Sequence, residues 1–287
     1  MKFLSLLFIL FAASTAAFAQ EKDLVKIADS ISNEGKTLYR SEWASWYGSD
    51  IFSAKCKARR AIAGGYISYD NGKELINVFF SKGTDPVVLS TISFGYDFDS
   101  NNYKLDTADR KFTSSEKELF TIRQTALAEL NKDTLFKTYK NTSLNPVPII
   151  KNGTKRVYIL TGPSINGVVI FGNDYVIGFD KANNVASKKK LHKGIIPVLY
   201  GKTGADSSKI VLASMHTHLP EFDQFITVTD ICTLMLYEKF TTWNQAIVVS
   251  KNYVSIWNCK EDRLAILTYE AWQKTNPAKN ALENNSH

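Results

Sequence analysis

Two prolines in four residues, Asn145-Pro146-Val147-Pro148, interrupt the middle of this 287-residue chain. Each proline removes a backbone donor and biases the residue before it away from the helical region. No helix is expected to run through this segment, so 141–148 is read as a linker between two differently patterned halves. The length suits two modest domains or one large one. The expected organisation is a leader over 1–19, an N-terminal domain over 20–140, a second domain over 150–275 and a loose polar tail over 276–287.

The first half begins with 23–40, where Leu24, Ile27, Ile31 and Leu38 recur at helical spacing. Trp43, Trp46 and Tyr47 follow; they are read as cover for the first core, with a partner-binding surface as the alternative. Strand patterns occupy 61–69 and 74–80, separated by Asp70-Asn71-Gly72, whose Asn-Gly pair is a hairpin signal. A third strand is expected over 87–94. Thr113-Ser114-Ser115-Glu116 has the form of a capping box and opens a helix to about residue 131. This half therefore reads as helices on an antiparallel sheet.

Beyond the prolines, strands are expected over 156–160, 167–171, 175–179 and 185–191, the last two as a hairpin around Lys181-Ala182-Asn183-Asn184. A strand over 210–218 and a helix over 229–240 follow, then a hairpin of 246–250 and 253–259 through Lys251-Asn252. The segment 265–274 reads as a closing helix or strand. The fold class is α+β: a helix-and-antiparallel-sheet half, then a mixed sheet flanked by helices.

Residues 1–19 carry Lys2, an apolar run from Phe3 to Ala13 and Ala17-Phe18-Ala19 before Gln20. This is the pattern of a secretory signal, and it implies an exported, periplasmic or extracellular protein. No cysteine at the cleavage point suggests a lipid anchor, and no later run is apolar for long enough to span a bilayer. The chain carries 35 Lys+Arg against 28 Asp+Glu. The excess is dispersed, with Lys188-Lys189-Lys190 the only tight run. That fits a solvated basic surface and argues against nucleic-acid binding. Cys56, Cys232 and Cys259 allow at most one disulfide, and no Cys-x-x-Cys spacing supports a structural zinc ribbon.

The chemistry concentrates in His216-Thr217-His218 and Asp230. Side chains two apart on a strand share a face, so both imidazoles would point the same way. A carboxylate at the start of the next helix completes two His and one acid, a catalytic zinc arrangement when one position stays open. Asp230 also suits the first turn of a helix capped by Thr227, and capping is compatible with ligation. His192 is read as a surface residue or as a third imidazole ligand. Asp174, Asp180, Glu221 and Asp223 are the carboxylates available for proton transfer, Glu221 and Asp223 being nearest to the histidines in sequence. Cys232 is read as core, with a thiol nucleophile served by His216 or His218 as the alternative.

The order strand, H-x-H, loop, T-x-x-D opening a helix, then a strand pair resembles the JAB1/MPN (JAMM) metalloprotease family. The stretch reads S-M-H-T-H-L-P-E-F-D-Q-F-I-T-V-T-D-I over 214–231, against a family pattern of H-x-H-P, a short loop and S-x-x-D. The resemblance covers about 155–260 and implies zinc held by His216, His218 and Asp230. Leu219 stands where the family has Pro, with Pro220 next. Thr227 stands for the family Ser that assists the oxyanion. Lys155 stands about where the family has its proton-handling Glu, and no Glu occurs between Glu129 and Glu221.

The resemblance implies zinc-assisted hydrolysis of amide or isopeptide bonds, with envelope peptides as substrates for an exported member and with Thr227 and Glu221 as catalytic candidates. The alternative is a catalytically degenerate member that binds a peptide or protein partner.

Overall fold

The structure, a computed structural model, describes residues 2–200 and 213–275, with side chains from residue 21 onward. The leader reading over 1–19 and the loose tail over 276–287 concern side chains and residues outside that description. The fold class is α+β, with helices, antiparallel sheets and one mixed sheet. The chain forms two compact units, each discontinuous in sequence: Gly35–Lys209 with Val228–Thr241, and Met1–Glu34 with Ile210–Thr227 and Thr242–His287. Among the described residues, no helix is long and apolar enough to cross a membrane.

The larger unit opens with the second half of α1 (Lys2–Lys55). Helix thus continues past the expected end at residue 40 and carries Trp43, Trp46 and Tyr47. Trp43 is buried, while Trp46 is exposed. A meander of four antiparallel strands follows: β1 (Ala63–Asp70), β2 (Leu75–Ser81), β3 (Val88–Phe94) and β4 (Tyr103–Asp106). The turn between β1 and β2 is held by Asn71, whose side-chain oxygen accepts from the N–H groups of Lys73 and Glu74 at 2.8 Å each. α2 (Ser114–Lys132) begins with the expected capping box: Thr113 Oγ1 accepts from Glu116 N–H, and Glu116 Oε2 accepts from Thr113 N–H.

The proline segment is not a linker. Pro146 and Pro148 lie inside β5 (Thr142–Lys151), which pairs antiparallel with β6 (Thr154–Pro163) over its whole length. β5 is the edge of a sheet ordered β5, β6, β8 (Tyr175–Phe179), β9 (Val185–Lys190). An edge strand has one row of N–H groups with no strand partner, and two prolines spaced by two both fall on one side of the strand. β7 (Val168–Gly172) leaves this sheet and pairs with β10 (Ile195–Leu199). α3 (Val228–Tyr237) completes the unit.

Period two explains how two helices bury two sheets. On β6, Tyr158 and Leu160 join the cluster around Leu38, Trp43 and Phe52 of α1, whereas Val157 and Ile159 join Ile122 and Ala126 of α2. On β2, Leu75 and Phe79 pack with the α1 cluster, and Ile76, Val78 and Phe80 with Leu119 of α2. These central strands are apolar on both faces, so they read as continuous runs rather than alternations.

The smaller unit contains a four-stranded sheet ordered β11 (Ala213–Thr217), β12 (Gln245–Val249), β13 (Tyr253–Asn258), β14 (Arg263–Thr268). β11 runs parallel to β12 and the other pairs are antiparallel, so the sheet is mixed. Trp257, Val248 and Val254 are fully buried there. The closing segment is both things the sequence allowed: strand β14, then α4 (Tyr269–Thr275).

Candidate metal centre

The smaller unit presents its histidines at the end of an edge strand. His216 lies on β11 opposite Val248, and His218 follows the strand, its N–H donating to Val249 O at 2.9 Å. Two-residue spacing puts both rings on one side, with the Nε2 atoms 3.3 Å apart. His218 Nδ1 lies 2.9 Å from the carbonyl of Asp223. A carbonyl only accepts, so Nδ1 is the donor of this contact, and in the neutral ring Nε2 is then the acceptor atom.

The larger unit presents His192, just beyond β9, and Asp230, in the first turn of α3; both are buried. His192 Nε2 is 3.3 Å from each oxygen of Asp230. On its other side, His192 Nδ1 is 3.8 Å from Asp174 Oδ2, an ion-pair separation rather than a hydrogen bond. Asp174 Oδ1 accepts from Thr161 N–H at 2.8 Å. Burial pushes the Asp174 carboxyl up to about 6, against the opposing pull of the His192 imidazole and the bonds from Thr161 and Thr229.

Within the larger unit, His192 and Asp230 are two buried side chains of metal-ligating type set face to face, and within the smaller unit His216 and His218 are two more. Two further observations fit a cation. Two ligands on a tetrahedral zinc at 2.0–2.1 Å stand about 3.3–3.4 Å apart. The His192–Asp230 separation has that value. A charge-assisted hydrogen bond between imidazole and carboxylate would be shorter, roughly 2.7–2.9 Å. Secondly, Asp174 and Asp230 flank a single imidazole in a buried setting. Two carboxylates around one imidazole are a donor set of the kind that holds a divalent cation and orients its ligands.

The residues named from sequence fall into place as follows. Asp230 faces His192 in the larger unit, and His216 stands beside His218 in the smaller. Thr227 is buried one residue ahead of α3, and Glu221 is exposed on the loop after the histidines. Asp180 is exposed in the β8–β9 turn, where bonds from Asn184 hold its carboxyl below the usual range. Lys155 sits at the opposite end of β6 from Thr161, six residues away, about 20 Å along a strand. Its ammonium is bound to Lys181 O at 2.9 Å and Asn183 Oδ1 at 2.8 Å. The carboxylate beside the site end of β6 is Asp174. Cys232 is fully buried, and burial pushes its thiol well up, which suits core packing and not nucleophilic attack. Cys56, Cys232 and Cys259 are all free thiols.

His192 and Asp174 carry no local motif. The sequence offered only the scarcity of histidine, four in the chain, and an acid two residues after a glycine turn. Comparison with known protein families, curated proteins and solved structures finds no match to the chain.

Proposed function

We propose that His192, His218 and Asp230 hold a zinc-class divalent cation and that the protein is an exported, JAMM-like hydrolase of amide or isopeptide bonds in envelope peptides. The observation that supports this reading is the buried His192–Asp230 pair, with Nε2 3.3 Å from both carboxylate oxygens; His218, in the smaller unit, turns Nδ1 to the Asp223 carbonyl as ligating histidines do. Three protein ligands with one position open is the ligand count of catalytic zinc sites, whereas structural sites close all four. When bound, such a cation supplies Lewis-acid polarisation of a substrate carbonyl. In this reading Thr227 offers its hydroxyl to charge developing on the substrate oxygen, and proton transfer falls to Glu221.

A second reading, a binding or scaffolding protein that keeps the site without the chemistry, is favoured by the exposure of Glu221. The deciding experiment is metal content of the purified protein by mass spectrometry beside His218→Ala, followed by a peptide-hydrolysis screen with and without chelator. Near-stoichiometric zinc lost in the variant, with chelator-sensitive hydrolysis, supports the enzyme. Zinc without hydrolysis supports the binding protein. No metal in either protein, at unchanged stability, overturns both.

A further inference from the structure

Asp174 is held by more of the fold than a turn residue needs. The chain reverses between β7 and β8 through Gly172 and Asn173, both left-handed, with φ of 85° and 58°. A Cβ on Gly172 would come within 2.4 Å of Gly194 O and 3.4 Å of His192 Cβ, so the glycine lets the His192 segment lie against the corner. Asn173 is fully buried. Its amide donates to Lys137 O at 2.7 Å and to Thr161 Oγ1 at 3.1 Å, and its Oδ1 accepts from Tyr175 OH at 2.7 Å. Thr161 closes the corner twice, donating its hydroxyl to Asn173 O and its N–H to Asp174 Oδ1, each at 2.8 Å. Leu191 N–H donates to Asp174 O at 2.8 Å, which registers the backbone before His192 on the same corner.

The result is a buried carboxylate with one oxygen fixed by the backbone and the other 3.8 Å from His192 Nδ1. A neutral amide could accept the Thr161 and Thr229 bonds at a lower desolvation cost. What an amide lacks is negative charge opposite an imidazole. Ligating histidines characteristically turn their second ring nitrogen to a carboxylate or carbonyl, which fixes the tautomer and raises ligand basicity. His218 does this with the Asp223 carbonyl.

We propose that Asp174 is a positioning residue of the metal centre, holding His192 with Nδ1 toward its carboxylate and Nε2 toward the cation beside Asp230. This inference rests on the metal reading above. Asp174 touches neither substrate nor metal and acts through His192.

The test is a titration of metal-free protein with Zn²⁺ against a chromogenic competing chelator, with the Co²⁺ absorption spectrum as a second readout. Wild type, Asp174→Asn, Thr229→Val and His192→Ala are compared, and the thermal melt of each metal-free protein controls for folding. Asp174→Asn is expected to weaken Zn²⁺ binding about 10–100-fold and alter the Co²⁺ spectrum at an unchanged metal-free melt. Thr229→Val, which removes a bond to the carboxylate and keeps the shape, is expected to weaken it several-fold. If Asp174→Asn does not fold, Thr229→Val decides alone. Wild-type affinity and spectrum in the folded variants, with binding lost in His192→Ala, would overturn the role of Asp174 and leave the metal reading standing. Absence of binding in the wild type would overturn both.

Discussion

Glu42, on α1, offers a measurement of what burial does to a carboxylate away from the candidate metal centre. Burial pushes its carboxyl from the ordinary 4.5 up to about 7, only partly opposed by Asn145 Nδ2, which donates at 2.8 Å, by Arg123 of α2 and by Ser45. Its charge acts in turn on Tyr66 of β1 and on Cys232 and Tyr237 of α3. The folded protein therefore keeps a proton on Glu42 at pH values where the unfolded chain has released it. The stability this contributes is fully present below about pH 4.5 and is lost as pH rises to about 7. At about 1.4 kcal/mol per pH unit the loss is about 3 kcal/mol, or about 2 kcal/mol once the residue's partial exposure is allowed for. Glu42→Gln keeps an acceptor for Asn145 and cannot ionise. Urea unfolding of both proteins at pH 5, 6, 7 and 8 should show the variant gaining about 2–3 kcal/mol on the wild type across that range. A difference that stays flat with pH, or a variant less stable throughout, would refute the reasoning and mean that Arg123 holds Glu42 ionised in the folded state.

Zn²⁺ at a hundred times its dissociation constant should stabilise the wild type by about 2.7 kcal/mol, a rise in melting temperature of roughly 5–10 °C, and leave Asp230→Ala unmoved. Gly172→Ala should cost at least 1–3 kcal/mol in denaturant unfolding, through the left-handed φ and the clash with Gly194 O, and should weaken metal binding with it. A wild-type melt would remove the close approach from the argument. The three buried free thiols should resist a water-soluble disulfide reagent until urea unfolds the chain, with Cys232 the slowest; rapid labelling of Cys232 in native buffer would contradict its burial.

Local physics made much of this protein legible in its sequence. The capping box of α2, the Asn-Gly turn after β1 and the strands of the β8–β9 and β12–β13 hairpins depend on residues a few positions apart, so their signals are contained in the segments that form them. The H-x-H spacing belongs to the same class, since alternation along β11 suffices to put His216 and His218 on one side. What the tertiary structure decided depends on separations the sequence does not encode locally. Pro146 and Pro148 are compatible with a strand only because β5 became a sheet edge. The helix of α1 continues past residue 40 because it has two sheets to pack between, and Trp43 is buried for that reason. His192 meets Asp230 across 38 residues. Asp174 reaches His192 because Gly172 and Asn173 turn the chain back on Thr161. A metal ligand is defined by where it lies relative to others, and that is settled by packing, which no single segment of the chain carries.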